Sequence, residues 1–310
     1  MGEGAAPVTA DEFAAAMAAA TGPLAPRERI AVAVSGGPDS MALARLLAEW
    51  AAATGHPLVG ITVDHGFRVE ARAEAEAVGA AFASWGVPHH IHTLTWDDGG
   101  GDARPAASQL QLVARTRRYE AMAAICGALG VSRLYAAHTS GDQVETLLAR
   151  VARASGVAGL GCMAPAKLVP GGLVVVRPLL HLPKSRLLAT CRARNLPFAV
   201  DKSNFNMNYD RVRLRAAVAQ LASNAPSPIT EADLAAVVAH AAALRAAVDS
   251  EVDALLGDAC SALPRQGVVT AAVPALLSPT LPSLVRFHGA LLFVIIVLGD
   301  SSVASPHSPP

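Results

Sequence analysis

Ile30-Ala31-Val32-Ala33-Val34-Ser35-Gly36-Gly37-Pro38-Asp39-Ser40 is the stretch on which the reading of this chain turns. Its first five residues are all apolar, the pattern of a strand buried on both faces of a parallel sheet. Two glycines and a proline then break the strand, and Leu43, Leu46, Leu47 and Trp50 follow at helical spacing. A strand, a glycine turn and a helix start in that order make a phosphate cradle. Glycines let the backbone approach closely and take positive φ, so that successive N–H groups point inward. The helix adds its dipole and its free N–H groups, and Ser35 and Ser40 add hydroxyl donors. An acid is out of place beside phosphate unless a cation bridges it, so Asp39 is assigned to Mg²⁺. No Gly-Lys-Ser/Thr occurs, so this is not the G-x-x-x-x-G-K-[ST] loop.

Working outward, strands and helices alternate. A short Ala-rich helix over 9–20 precedes the loop, with Thr9 or Asp11 near its cap. Strands are expected at 58–63, 90–94 and 134–137, with helices over about 69–85 and 107–129 and another from Asp142. Shorter strands are expected at 173–180 and 198–201, around a helix beginning at Pro183. Thr230 with Asp233 opens a long helix to about 257, with Leu234, Val237, Ala241, Leu244 and Val248 on its apolar stripe. This alternation predicts an α/β fold, a parallel sheet flanked by helices on both faces. Ligands then sit beyond the carboxyl ends of the strands, where Ser35 to Ser40, Asp64, His65 and His138 all fall. The expected domains are an N-terminal helical leader (1–28), a catalytic domain (29–222), a small helical domain (223–286) and an atypical tail (287–310).

Charge is distributed unevenly. The 310 residues carry 25 basic and 25 acidic groups, yet residues 104–215 hold 17 basic against 5 acidic, a net of +12. Residues 1–103 stand at −8 and residues 216–310 at −4. Such a local bias suits a polyanionic partner, although a solvated basic face has the same composition. Cys126, Cys162, Cys191 and Cys260 include no C-x-x-C pair, which argues against a disulfide framework, a zinc site or an iron–sulfur site. His90 and His92 share a strand face without an acidic or Cys ligand nearby, and a strand-edge cluster explains them better than a metal site. Glu3, Asp11 and Glu12 do not suit a signal peptide, and the apolar run from Gly289 to Gly299 is too short to span a bilayer. The expected location is the cytoplasm.

The S-G-G-x-D-S loop after a first strand resembles that of the PP-loop, adenine-nucleotide α-hydrolase-like ATPases. These enzymes cleave ATP between its α and β phosphates to adenylate a substrate oxygen. Four further stretches are similar to one branch, the tRNA(Ile)-lysidine synthases. They are Val63-Asp64-His65-Gly66-Phe67-Arg68, Ala114-Arg115-Thr116-Arg117-Arg118-Tyr119, and the run from Ala137-His138 through Asp142-Gln143-Val144-Glu145-Thr146. The fourth is Asp201-Lys202-Ser203-Asn204 with Asp210-Arg211-Val212-Arg213-Leu214-Arg215. Together with the loop they cover residues 30–215 in the family's order.

The resemblance implies a ligase forming a carbon–nitrogen bond. ATP, with Mg²⁺ at Asp39, adenylates the C2 oxygen of the wobble cytidine in tRNA(Ile) bearing a CAU anticodon. The ε-amine of L-lysine then displaces AMP. Ser35, Gly36, Gly37, Pro38, Asp39, Ser40, Asp64 and His65 are the expected ATP-binding residues. Asp142, Glu145, His138 and Arg115 are the catalytic or lysine-binding candidates, and Arg118, Arg211, Arg213 and Arg215 the tRNA-binding ones. On a helix from Asp142, the stripe Val144, Leu147, Leu148 and Val151 leaves Asp142 and Glu145 on the opposite face, suited to an ammonium group. An acidic first turn that serves only the helix dipole has the same sequence. Asp142, Glu145 and His138 all stand as candidate bases, and a homodimer is left open.

Two rivals stand beside this reading. A cytidine 2-thiolation enzyme of the same fold needs a sulfur-carrying Cys pair or cluster. A non-catalytic tRNA-binding relic is suggested by Gly141, which replaces the first Asp of the family's D-D-Q, and by Lys202, which replaces a Pro. From Phe287 onward the sequence is apolar and then Ser/Pro-rich, matching no family pattern; an altered C-terminus, such as a shifted reading frame, is the expectation there.

Overall fold

The computed structural model describes residues 4–66, 70–96, 110–199, 230–263 and 268–271. They divide into two compact units: residues 1–154 with 162–238, and residues 155–161 with 239–310. The tail and the arginine motif at 201–215 lie outside the described residues; of the strand expected at 198–201, Phe198 and Ala199 are described and belong to no strand.

The first unit is an α/β sandwich. Its strands are β1 (Ile30–Ala33), β2 (Leu58–Asp64), β3 (His89–Thr93), β4 (Arg133–Tyr135), β5 (Ala166–Val169) and β6 (Leu173–Val176). They form one sheet in the order β3-β2-β1-β4-β6-β5. The pairs β3–β2, β2–β1, β1–β4 and β4–β6 are parallel. β5 alone pairs antiparallel, with β6. That edge strand is a correction to the sequence reading, in which it is absent. Pro165 and Lys167 break the apolar run that a buried strand needs, and an edge strand does not need one.

Helices cover both faces: α1 (Ala10–Thr21), α2 (Pro38–Thr54), α3 (Glu70–Ser84), α4 (Leu110–Ala128), α5 (Ser140–Val151) and α7 (Lys184–Ala193). Phe13 and Met17 of α1 are buried with Leu43, Leu46 and Leu47 of α2 and Phe82 of α3 in one core cluster. A smaller cluster on Val59, Ile61, Met122, Cys126 and Leu134 packs α4 on the sheet. Thr9 caps α1 in a capping box with Glu12. The Glu12 carboxylate also takes two 2.8 Å bonds from Arg186, fastening α1 to α7.

In the second unit, α6 (Val157–Leu160) is a single turn, and β7 (Cys260–Leu263) and β8 (Val268–Ala271) form an antiparallel hairpin. α8 (Glu231–Ala259) begins in the first unit and ends in the second. Its expected stripe holds in part. Leu234, Ala241 and Val248 are partly buried, but Val237 and Leu244 are about half exposed, and Val238 and Val252 are buried instead. Alanine on every side of this helix blurs the stripe in the sequence.

Candidate active site

Sheet order locates the site. From β1 the chain steps outward to β2 and β3, then returns to place β4 on the other side of β1. The crevice at the carboxyl ends of β1 and β4 is therefore the topological switch point, where open α/β sheets bind ligands. Ser35–Ser40 follow β1 and His138 follows β4.

The loop is built largely as its residues require. Gly36 has φ +82°, in the left-handed region. Gly37 is the N-cap of α2 in ordinary extended conformation, and Pro38 follows at the first helical position. Positive φ is thus needed at one glycine, not both. The serines differ from expectation too. Ser40 Oγ donates to Gly37 O at 2.9 Å and accepts from Ser35 N at 3.2 Å, and the two hydroxyl oxygens lie 3.2 Å apart. They brace the turn from within. From outside, Ala199 N donates to Gly36 O at 2.9 Å and the Cys191 thiol to Pro38 O at 3.2 Å. Burial pushes the Cys191 thiol up to about 11, keeping it protonated and able to donate.

Asp39 lies in the first turn of α2, and Lys184 Nζ stands 3.1 Å from its Oδ2. A single carboxylate at the mouth of a phosphate cradle fits Mg²⁺, which is held by one or two carboxylates with substrate phosphates and water completing its octahedron. Among the described residues no group of three His, Cys, Asp or Glu side chains is placed to hold a metal ion. His90 and His92 are exposed. His89 is partly buried against Phe82, its Nε2 2.9 Å from Thr62 Oγ1. Burial, reinforced by His90, pushes it down to about 4.

Asp64, at the end of β2, is 7% exposed, and its Oδ1 accepts from Gly66 N at 2.8 Å. That bond turns the chain and fixes His65, whose carbonyl accepts from Trp96 Nε1 at 2.7 Å. The Arg117 guanidinium lies 4.7 Å from the Trp96 ring centroid.

The other wall is α5. Thr139 caps it, its N–H and hydroxyl donating to Asp142 Oδ2 at 2.9 and 3.1 Å. Asp142 therefore does complete a helix cap, and only its second oxygen has no part in that box. Val144 and Leu147 are buried as expected, but Val151 is 56% exposed. Glu145 is buried at 7% exposure rather than lying on an open face. His138 is pushed down to about 4, chiefly by burial and further by Arg177, Arg115 and Arg118, against the opposing pull of Asp142. Arg115 and Arg118 lie 5.2 and 5.6 Å from the Tyr119 ring centroid, so they do share a side of α4.

Three residues escape the sequence reading. Arg177 follows β6 and is only 6% exposed. It donates to Ala164 O at 2.9 Å and hydrogen-bonds Tyr119. Its Nε and the Nδ1 of His138 are buried without a hydrogen-bond partner among the described residues. Buried polar atoms are nearly always satisfied, so two such nitrogens at the ends of neighbouring strands mark a place for ligand atoms. An arginine directly after an apolar strand was the available signal. Lys184 is the second. Glu231 is the third: its Oε1 accepts from Ser140 Oγ at 2.8 Å and lies 3.5 Å from where a Cβ on Gly141 would stand. A carboxylate thus occupies the neighbourhood from which Gly141 removes one.

The PP-loop domain family matches residues 9–222. The tRNA(Ile)-lysidine synthase of Methylobacterium nodulans is 42% identical over 259 residues, covering 82% of this chain and 72% of that protein. That of Rhodopseudomonas palustris is 46% identical over 196 residues, covering 63% of this chain and 54% of that protein. The chain thus spans between about half and three quarters of the length of these relatives. Among solved structures, a U34-tRNA thiolase from Methanococcus maripaludis with its [4Fe-4S] cluster shares the fold. Its TM-score is 0.60 at 17% identity, over 76% of this chain and 78% of that one.

Proposed function

This chain belongs to the PP-loop family, in its tRNA(Ile)-lysidine synthase branch, and from that premise we propose that it joins lysine to a tRNA cytidine at the expense of ATP. The observation that carries the proposal is the convergence of two sites at one switch point. A braced phosphate loop ends β1, and an acidic and basic cluster on His138, Asp142, Glu145, Arg115, Arg118 and Arg177 surrounds the ends of β4 and β6.

In the first step the C2 oxygen of the wobble cytidine in tRNA(Ile) attacks the α phosphorus of ATP. The bond to the bridging oxygen breaks, and its electron pair leaves with pyrophosphate. Gly36, Gly37 and the α2 N-terminus hold the phosphates; Asp39 would hold Mg²⁺, which would supply positive charge toward the leaving group. Asp64 and His65, fixed by their turn, face the nucleoside end. In the second step the lysine ε-amine attacks C2, and AMP departs with the C2 oxygen. Asp142 and Glu145 bind the ammonium form. Burial keeps the His138 imidazole neutral, so that it adds no positive charge beside the incoming amine. His138, Asp142 and Glu145 all stand as candidate bases. Arg115, Arg118 and Arg177 offset charge on the adenylate, and Arg118 with Arg211, Arg213 and Arg215 contacts tRNA phosphates. The anticodon loop presents its cytidine unpaired, so no duplex must open. The enzyme works in the cytoplasm.

The thiolation rival requires reactive thiols. Burial pushes Cys126 and Cys191 to about 11 and raises Cys162 as well, which keeps all three protonated and inert. The test is incorporation of labelled lysine into tRNA(Ile) with a CAU anticodon, in the presence of ATP and Mg²⁺. Incorporation with release of AMP and pyrophosphate is expected, and Asp39→Ala should abolish it while the circular dichroism spectrum is kept. Tight tRNA binding with no ATP turnover would replace this reading with a binding relic.

A further inference from the structure

We propose that Lys184 grips the leaving pyrophosphate, and that its ion pair with Asp39 is the resting form of that grip. The lysine is the first residue of α7, and α7 is fixed against the loop-bearing helix α2. The Cys191–Pro38 bond ties their facing surfaces, and Arg194 clasps Glu49 of α2 through bonds of 3.1 to 3.3 Å. The chain after α7 then returns to bond Gly36 through Ala199. Lys184 is thus held at a set distance from the phosphate cradle by three independent connections.

The pair itself contributes little to stability. The lysine side chain is 55% exposed, and ion pairs of that exposure are worth little. An ammonium on a flexible four-carbon stem suits another task, since it carries three donors and can move between counter-charges. Lys184 Nζ lies 3.1 Å from a carboxylate in the first turn of α2, the turn whose N–H groups face the phosphates. When a divalent cation takes Asp39, the lysine is released to the β and γ phosphates. There it meets the negative charge that grows as the α–β bridging bond breaks, where fixed positive charge accelerates such a step most.

This proposal rests on the reading of Ser35–Ser40 as a pyrophosphate loop, and direct binding separates the two. Magnesium pyrophosphate and AMP are each titrated calorimetrically into the full chain and into Lys184→Gln and Lys184→Arg, with neither tRNA nor lysine present. Pyrophosphate should bind Lys184→Gln roughly ten- to a hundredfold more weakly than the parent chain, the range for one charged hydrogen bond. Lys184→Arg should recover most of that loss, and AMP should bind all three alike. Equal pyrophosphate affinity in the parent chain and Lys184→Gln would overturn the role of Lys184. Parallel loss of AMP affinity would overturn it too, by making the lysine a prop for the loop. No pyrophosphate binding to the parent chain would overturn the reading of the loop, and the proposal with it.

Discussion

His138 illustrates how one residue's surroundings settle its chemistry. Its place after β4 was legible, because the same strand-end rule applies to Ser35 and Asp64. Its protonation state was not, because that depends first on burial in the folded chain and then on Asp142, Arg177, Arg115 and Arg118 around it. Lys184 and Glu231 were hidden for the same reason, since each matters only through a partner far away in sequence. The depressed value also has a consequence for stability. The folded state binds the His138 proton more weakly than the unfolded chain, whose value is near 6.5. The stabilisation is therefore complete above about pH 6.5 and is lost as pH falls toward 4. Denaturant unfolding at pH 7.5 and pH 5 should show a smaller acid loss in His138→Gln than in the parent chain, by about 2 kcal/mol. Equal losses would mean that the imidazole is not kept neutral by the fold.

At the scale of elements, periodicity read best where burial is one-sided or complete. β1 is an uninterrupted apolar run and β2 is apolar apart from the buried Thr62 and the closing Asp64, and α2 presents Leu43, Leu46 and Leu47 to the core as their spacing dictates. It failed at β5, whose edge position tolerates polar residues, and in part on α8, whose alanines carry no directional signal. Packing between elements was not legible at all. Gly60 in β2 is an example: a Cβ there would overlap the Phe82 ring of α3. That ring is fully buried, with Trp85 and His89 against it, so it has nowhere to retreat. Gly60→Ala should destabilise the chain by about 1–3 kcal/mol, the usual cost of overpacking. Urea unfolding measures this directly. A loss below half a kilocalorie would show that α3 can slide on β2.

For the molecule as a whole, a formal charge of zero conceals a basic segment between two acidic ones, and this asymmetry was legible from composition alone. What composition could not give is which arginines face a polyanion. Arg115 and Arg118 stand beside one tyrosine and act electrostatically on His138, so each is a candidate for the nucleotide or for tRNA. Salt dependence distinguishes the two partners. Each phosphate neutralised on the tRNA releases counterions, so the logarithm of tRNA affinity should fall linearly with the logarithm of salt concentration. An arginine on a tRNA phosphate should, when changed to alanine, reduce that slope by about one and weaken binding alike for all tRNA sequences. Arg118→Ala, Arg211→Ala, Arg213→Ala and Arg215→Ala are expected to do so in filter-binding titrations. Arg115→Ala is expected to leave the tRNA slope unchanged and to raise the KM for ATP instead, because its proposed charge partner is the adenylate. If Arg115→Ala flattens the slope while ATP kinetics stay the same, Arg115 belongs to the tRNA surface, and the proposed role at the adenylate passes to Arg118 and Arg177.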